Sequence, residues 1–273
     1  MDIYNFWKKE LKLDNKFSIK GYSKGSYKTG FVLLPDKIFL DAGVPSSYKP
    51  NAILITHGHQ DHIDCLYNHF ILDENIKIKI IATNDLINNL KSYLSACKSL
   101  NAGYKVPFTN WEPLPIIKDL NVKINNTEYY IEIRYLDHDV ECIGFGINEM
   151  RTKLKEEYIN LPKDELIKMN KNEISYKKKY PIIFFCGDMN YTSLETLPFD
   201  SYSYFIIECT FFDETHQEEA RSRKHLHILD LLPYFSNYTN TKFILIHFSC
   251  RYDKKTIKQY ETLYSFPNVI YWL

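Results

Sequence analysis

The chain has 273 residues, enough for one large domain or two small ones with a substantial buried core. Hydrophobic residues make up 45% and charged residues 25%, as in an ordinary globular protein, and no apolar stretch is long enough for a membrane helix. Lysine plus arginine and aspartate plus glutamate number 34 each, so the chain lacks the overall basic excess of a dedicated nucleic-acid binder, although a local basic patch would suffice.

The first half of the chain is predicted to consist mainly of short strands. Segments rich in β-branched or aromatic residues and broken by Gly, Pro or Asn predict strands over 17–23, 29–35, 37–43, 51–57 and 77–83. Segment 84–97 has apolar residues at helical spacing behind an Asn/Asp N-cap signal, which predicts a helix. Segments 129–138 and 141–147 are then predicted to form a strand pair.

The second half repeats this order. We predict strands over 180–188, 203–210, 242–249 and 268–273, and helices over 218–235 and 253–263. Residues 150–179 are polar and lysine-rich, and we expect a solvated connection with one or two short helices there. Two sheets packed face to face with helices outside would bury all the apolar strands, so the expected fold is α/β, a four-layer αββα sandwich forming one domain over residues 1–273.

Six cysteines are scattered along the chain without a CxxC pair, and three of them, Cys142, Cys186 and Cys209, lie in apolar strand-like segments. This pattern predicts small buried thiols in a reducing compartment. The N-terminal segment has no uninterrupted apolar region of the kind a signal peptide needs. We therefore expect a cytoplasmic protein with no membrane partner.

The strongest local signal is the segment 56–62, Thr-His-Gly-His-Gln-Asp-His, which directly follows a run of apolar residues. Three imidazoles and a carboxylate this close together suit a borderline-soft divalent metal. In a tight loop, His57 and His59 can share one metal ion while Asp61 and His62 share a second. A helix would instead bring together residues four apart, as in HExxH.

Two metal ions need more ligands, and polar residues at the ends of other apolar strands can supply them. At such a position a buried polar side chain is costly without a partner. A carboxylate at Asp188 can bridge two ions. The predicted metal ligands are His57, His59, Asp61, His62, His138, Asp188 and His247.

This order of ligands, HxHxDH followed by a lone His, a Gly-Asp pair and a final His before a Ser, resembles the metallo-β-lactamase superfamily over nearly the whole chain. Asp41, at the end of a predicted strand, is similar to the Asp of that family's DxG segment, which supports the first metal-binding loop. The resemblance implies the αββα fold and two divalent metal ions. The His-rich ligand set favours zinc, with manganese or iron also compatible.

Later motifs resemble ribonuclease Z, the endonuclease that trims tRNA 3′ trailers. Glu208-Cys209-Thr210 is similar to its acidic segment, and residues 247–252, His-Phe-Ser-Cys-Arg-Tyr, resemble its closing HFSxRY. The 50-residue interval from His138 to Asp188 holds a lysine-rich segment where that family inserts a Gly/Pro-rich arm that binds tRNA. The chain therefore resembles an arm-less branch. This resemblance implies hydrolysis of a phosphodiester, with RNA (a tRNA precursor) or a small phosphodiester as the partner, and a homodimer.

The resemblance also implies catalytic roles. Asp61 would hold the metals that activate water, and His225, oriented and kept charged by Glu208, would protonate the leaving oxygen. His227 is a rival for this role, although two residues apart on a helix means opposite faces, and we expect it to pack at a helix start. The candidate substrate contacts are His227, Ser249 and Arg251, and a structural salt bridge is the alternative for Arg251.

Three other classes of function stay open at this point. A thioesterase or ester hydrolase similar to glyoxalase II shares the THxHxDH segment, but the closing motif at 247–252 argues against it. A small-molecule phosphodiesterase acting on cyclic nucleotides is favoured by the missing arm and the zero net charge. A metal-stabilised binding module without activity is disfavoured, because a scaffold would need neither Glu208 nor His225.

Overall fold

The computed structural model describes residues 3–71 and 77–273 and contains two seven-stranded β-sheets. The first sheet follows chain order: β1 (Glu10–Lys12), β2 (Ser18–Lys24), β3 (Lys28–Leu34), β4 (Ile38–Leu40), β5 (Ala52–Leu54), β6 (Ile78–Ala82) and β7 (Trp111–Pro115). The second sheet also places neighbours in sequence side by side: β8 (Leu120–Ile124), β9 (Thr127–Leu136), β10 (Cys142–Leu154), β11 (Ser175–Phe185), β12 (Tyr204–Glu208), β13 (Lys242–Ile246) and β14 (Val269–Tyr271).

The two sheets share one pattern of strand direction. In each, the first three pairs of neighbouring strands are antiparallel and the last three are parallel. Parallel neighbours end at the same edge of a sheet, so the loops that follow them lie close together. Both sheets therefore present a set of strand ends from which side chains can converge.

Along the chain, the helices precede or connect these strands. The α-helices are α1 (Gln60–Ile63), α2 (Asn68–Ile71), α3 (Asn84–Ala102), α4 (Lys163–Leu166), α5 (Lys171–Ile174), α6 (Gln217–Ser222), α7 (Ile228–Asn237) and α8 (Lys254–Leu263). Short 3-10 helices span Ile3–Trp7, Glu156–Tyr158, Tyr191–Thr196, Phe199–Ser201 and Glu214–His216. Within the described ranges, no helix is long and apolar enough to cross a bilayer.

Three apolar clusters hold the layers together. The central cluster lies between the sheets, where Phe31 of β3 and Phe185 of β11 pack with ring centroids 6.2 Å apart. On the outer face of the first sheet α3 packs through residues such as Leu90, and on the outer face of the second α7 packs through Phe235. The predicted four-layer αββα arrangement is confirmed. That residues 1–273 form one domain stays a prediction.

The predicted helix over 218–235 is wrong in its middle. The structure has two helices, α6 and α7, and the residues between them are extended. Lys224 has a φ of 49°, a left-handed conformation that interrupts a right-handed helix. The segment instead pairs with Phe211, whose backbone N–H donates to Leu226 and whose carbonyl accepts from Ile228. This long-range pairing competes with local helix formation.

Residues 150–179, which we call the basic ribbon, were expected to form a solvated connection with short helices, and they also extend two strands of the second sheet. The pairing of β10 with β9 ends at Glu149, but β10 and β11 continue together, with Met150 opposite Lys179 and Leu154 opposite Ser175. The expected short helices lie between the ends of these strands. The ribbon carries nine lysine or arginine residues against five aspartate or glutamate residues. It is therefore a basic two-stranded extension of the second sheet.

Candidate metal centre

The residues predicted as metal ligands all lie beyond strand ends, and both sheets contribute. After β5 of the first sheet come His57, His59, Asp61 and His62, and after β9, β11 and β13 of the second sheet come His138, Asp188 and His247. Asp61 and His62 lie in the short helix α1 rather than in a loop. His247 has a φ of 62°, a left-handed conformation that is uncommon outside glycine and often marks a functional site.

The predicted ligand atoms form two groups, each with all its atoms within 4.8 Å of one another, and a third such group joins Asp188 and His247 with His225. The first group is His57, His59, His138 and Asp188, and the second is Asp61, His62 and His247. Asp188 Oδ2 lies 3.7 Å from His57 Nε2, 3.5 Å from His62 Nε2 and 3.3 Å from His247 Nε2. This carboxylate therefore lies between the two groups, and each group takes residues from both sheets.

The chemistry of these side chains fits divalent cations. Among the residues that the structure describes, five buried side-chain nitrogen or oxygen atoms have no hydrogen-bond partner, and two of them are His57 Nε2 and His62 Nε2. An unpaired buried polar atom costs about 1–3 kcal/mol, and a cation would provide the missing partner. Burial and the neighbouring imidazole of His62 hold the pKa of His57 well below its usual value, which keeps it in the neutral form that binds metals.

Asp41, at the end of β4, holds the first-sheet ligands in place. Its Oδ2 lies 2.7 Å from His62 Nδ1, and it also accepts a hydrogen bond from Thr56 Oγ1 at 3.0 Å. Thr56 Oγ1 lies in turn 2.9 Å from His57 Nδ1. Because the Nδ1 atoms of both histidines are occupied, their Nε2 atoms are the ones directed into the centre.

We expect Asp41→Asn to weaken zinc binding by about 10- to 100-fold, because an amide cannot accept from both Thr56 and His62 as the carboxylate does. Zinc affinity is measured by competition with a chromophoric chelator. Asp36→Asn is the matched control, since Asp36 precedes β4 at the opposite end of the strand and binds the Tyr129 hydroxyl. Equal zinc affinity in the two variants would contradict a supporting role for Asp41.

The predicted proton donor and its carboxylate partner lie beside the second-sheet ligands. His225 Nδ1 donates to Glu208 Oε1 at 2.9 Å and lies 4.0 Å from Asp188 Oδ2. Glu208 is buried, and its oxygens also accept from the Met189 backbone N–H at 2.8 Å and from Thr210 Oγ1 at 2.5 Å. Burial by itself would lower the pKa of His225, but Glu208 outweighs it and raises the pKa to about 9. His225 is therefore positively charged near neutral pH.

His227 does not reach this centre, which corrects its suggested role as a substrate contact. Its side chain is fully buried and lies at the first turn of α7. Nδ1 accepts from the Leu229 backbone N–H at 3.2 Å, and Nε2 lies 3.0 Å from the Asp213 carbonyl oxygen. Both ring nitrogens are occupied by the protein itself, so His227 acts as a helix cap.

Ser249 and Arg251 lie beside each other but outside the lining of the cleft described below. The Arg251 guanidinium donates to both carboxylate oxygens of Glu219 at 2.8 and 2.9 Å and lies over the Phe211 ring. Its Nε also donates to Ser249 Oγ at 3.2 Å. Arg251 therefore forms the structural salt bridge that was the alternative to substrate contact. Contact of Ser249 or Arg251 with a substrate stays a prediction.

A cleft of about 460 Å³ opens over the metal centre. Besides predicted ligands and His225, it is lined by four residues that sequence reasoning missed: Ser26, Tyr27, Gln60 and Asp64. Thr210, whose Oγ1 lies 3.0 Å from His247 Nδ1, was also missed. Thr210 lies within the Glu-Cys-Thr segment, in which only the carboxylate was predicted to have a role. Ser26 and Tyr27 belong to a turn that contains no recognisable motif.

No protein-family model matches the chain. It is 26% identical over 269 residues to tRNase Z TRZ1 from Arabidopsis thaliana, covering 92% of this chain and 91% of that protein. The metallo-β-lactamase fold protein YhfI from Bacillus subtilis superposes with a TM-score of 0.60 at 14% identity, covering 92% of both chains. The short form of human tRNase Z gives a TM-score of 0.57 at 15% identity, covering 92% of this chain and 94% of that one. The predicted metallo-β-lactamase fold is confirmed.

Proposed function

We propose that the chain, a ribonuclease Z-like member of the metallo-β-lactamase superfamily, is a metal-dependent phosphodiester hydrolase. The observation that carries this proposal is the position of Asp188 Oδ2 between the two ligand groups, with the charged His225 4.0 Å away. Two cation sites that share a carboxylate suit a phosphoryl group, and a separate acid suits an alkoxide leaving group. A thiolate leaving group would need no such acid, and an inactive scaffold would need none at all.

Some of these residues would bind the cations, and others would transfer a proton. When bound, two divalent cations would supply a water of lowered pKa and neutralise charge on the phosphoryl oxygens. Asp61 is oriented by the Ser26 backbone N–H at 2.9 Å, and its Oδ2 lies 3.2 Å from His247 Nε2, close enough for both atoms to bind one cation. His225 has its Nδ1 occupied by Glu208, so Nε2 is the atom that can donate a proton to the leaving oxygen. The other bonds to Glu208 fix the direction of this acid.

We propose zinc as the metal, since five of the seven predicted ligands are histidines. Manganese or iron would be recognised by metal analysis of the purified protein. The cytoplasmic location that we propose is supported by six free cysteines, four of them buried. Association as a homodimer stays a prediction.

Glu208→Gln is expected to shift the alkaline limb of the pH–rate profile downward by at least about one pH unit. The Glu208 carboxylate raises the pKa of His225 to about 9, so the acid form persists up to that pH and is lost as pH rises through it. Without the carboxylate, burial lowers the pKa of His225 and the acid form is lost earlier. The measurement is kcat from pH 5 to 10 on an RNA substrate.

The control for this shift is bis-(p-nitrophenyl) phosphate, whose leaving group needs little protonation. On this substrate the wild type and Glu208→Gln are expected to have the same alkaline limb. An unchanged limb on RNA in the variant would contradict the pairing of Glu208 with a proton-donating His225.

We propose precursor tRNA as the substrate, and the basic ribbon supports this choice beside the sequence similarity to a tRNase Z. β10 begins four residues after His138, and β11 ends three residues before Asp188. At about 3.3 Å per residue, the ribbon begins roughly 26 Å along β10 from the metal centre. Only a large substrate such as a folded RNA can contact both places, and the ribbon offers it the basic patch that the net charge did not reveal.

The test of the proposed function uses zinc-loaded protein with a 3′-extended precursor tRNA and, separately, with bis-(p-nitrophenyl) phosphate. We expect hydrolysis of both, with the tRNA cut just past the discriminator base. Hydrolysis of the small ester alone would keep the catalytic proposal and make a small phosphodiester the substrate. Failure on both would overturn the proposal.

We expect the triple variant Lys177→Ala, Lys178→Ala, Lys179→Ala to raise KM for precursor tRNA by about tenfold or more at low salt, since each lost phosphate contact weakens binding. Turnover of bis-(p-nitrophenyl) phosphate should stay unchanged, and KM for tRNA should depend less steeply on salt. The matched control is a triple alanine variant of three exposed lysines on α8, at positions 254, 255 and 258. Equal effects of the two triple variants would contradict a specific role for the ribbon.

A further inference from the structure

The cleft over the metal centre offers little surface for the part of a substrate that is not phosphate. Its lining consists of predicted ligands and His225 together with Ser26, Tyr27, Gln60 and Asp64. The Asp64 carboxylate is already paired with Lys28 Nζ at 2.7 Å. Tyr27 is the one residue of this lining that has an extended apolar face. The residue is 45% exposed, and although Lys28 Nζ lies 5.8 Å from the ring centroid, part of the ring surface is open to a ligand.

Tyr27 is held at a fixed position relative to the metal centre. It belongs to the turn between β2 and β3, where its backbone N–H donates to the Lys24 carbonyl oxygen at 3.0 Å. The neighbouring Ser26 N–H donates to Asp61 Oδ2 at 2.9 Å, and the Gly25 N–H donates to the Phe248 carbonyl oxygen at 3.1 Å. The turn is therefore bonded both to a predicted ligand and to the residue that follows His247.

The fit of this turn against His247 requires a glycine. A Cβ atom at Gly25 would lie 2.9 Å from the His247 carbonyl oxygen and 3.2 Å from two atoms of its ring. The ring of Tyr27 is further supported by Tyr22, whose centroid lies 6.3 Å away in an edge-to-face arrangement. A rigid aromatic ring beside a phosphate site needs no rearrangement to receive a flat ligand.

We infer that Tyr27 is a stacking platform for the nucleobase next to the scissile phosphate. The inference rests on the proposed function, and it specifies the substrate as a nucleoside-bearing phosphodiester. Bases of any identity can stack on an aromatic ring, so this contact favours nucleotides without selecting a sequence. Loss of one such contact lowers kcat/KM by about tenfold.

The test compares two substrates that differ only in the base: thymidine 5′-(p-nitrophenyl phosphate) and the same ester of the sugar without thymine. The quantity measured is the ratio of their kcat/KM values with the zinc-loaded enzyme. We expect a ratio of about ten in the wild type and in Tyr27→Phe, which keeps the ring, and a ratio near one in Tyr27→Ala. Tyr104→Ala, which removes an exposed tyrosine outside the cleft lining, should keep the wild-type ratio.

Each other outcome overturns the inference in a recognisable way. A wild-type ratio near one, or a high ratio retained in Tyr27→Ala, would show that the base does not stack on this ring. A loss of the ratio in Tyr27→Phe would assign the contact to the hydroxyl group instead. If the wild type hydrolysed neither ester but did hydrolyse bis-(p-nitrophenyl) phosphate, the inference would fail while the proposed function stood. If it hydrolysed none of these esters and left precursor tRNA intact, both would fail.

Discussion

Replacement of Asp188 by alanine is expected to abolish metal binding and hydrolysis together. One oxygen of this side chain lies within 3.7 Å of ring nitrogens of His57, His62 and His247, so its loss removes a carboxylate that lies close to ligands of both groups. Although burial would raise its pKa, the neighbouring imidazoles of His247 and His62 hold the pKa of Asp188 well below its usual value. The wild-type site therefore presents an anion at the position between the two ligand groups, and the variant presents none at that position.

The measurement combines zinc content with turnover of bis-(p-nitrophenyl) phosphate. In Asp188→Ala we expect the zinc content to fall to near zero and kcat/KM to fall by at least about 10³-fold, because metal-ion catalysis supplies several kcal/mol of transition-state stabilisation. Asp200→Ala, at an exposed carboxylate that does not line the cleft, should bind zinc and react as the wild type does. Full zinc content in an inactive Asp188→Ala would contradict its position as a shared ligand.

Replacement of His225 by alanine is expected to leave zinc binding intact while turnover of RNA falls by about 10²- to 10⁴-fold, the usual contribution of a positioned acid. The fold should survive, because Glu208 keeps its bonds to the Met189 N–H and the Thr210 hydroxyl. Hydrolysis of bis-(p-nitrophenyl) phosphate should fall much less, since its leaving group departs without a proton. Zinc content and kcat on both substrates provide the readout.

His216→Ala is the matched control for this second result. His216 lies before α6, its Nδ1 is 3.1 Å from the Tyr252 hydroxyl, and it does not line the cleft. This variant should retain wild-type rates on both substrates. An equal loss on RNA and on the nitrophenyl ester in His225→Ala would mean that His225 does not act as the leaving-group acid.

The sequence was sufficient to predict which polar side chains lie close together, because these residues follow apolar strands; that they bind metal ions stays a prediction. A strand such as β5 or β13 is recognisable from its β-branched residues, and the first polar side chain beyond it must lie at the sheet edge. Parallel pairing then brings Asp41 and His57 to one edge of the first sheet, and Asp188 and His247 to one edge of the second. The two-sheet fold could be predicted for the same reason, since buried strands of this kind need helices on their outer faces.

Contacts between segments distant in the chain were not predictable in this way. Helix propensity over 218–235 is locally consistent, yet pairing with Phe211 breaks the helix and separates His225 from His227. Tyr27 owes its place to bonds that its neighbours make, from Ser26 to Asp61 and from Gly25 to Phe248, more than 200 positions away. The basic ribbon depends on β10 pairing with β11 beyond the sheet, for which the polar sequence gave no periodic signal.

Each ligand group contains residues from both sheets, so metal binding would depend on the two sheets being packed together. Bound cations would act as cross-links between the two halves of the chain, each of which contributes part of a coordination shell. A fragment that ends before β13 would lack His247 and could not complete the second group, so an unfinished chain would not be active. Hydrolytic turnover would then report, in a single assay, that the two sheets are docked.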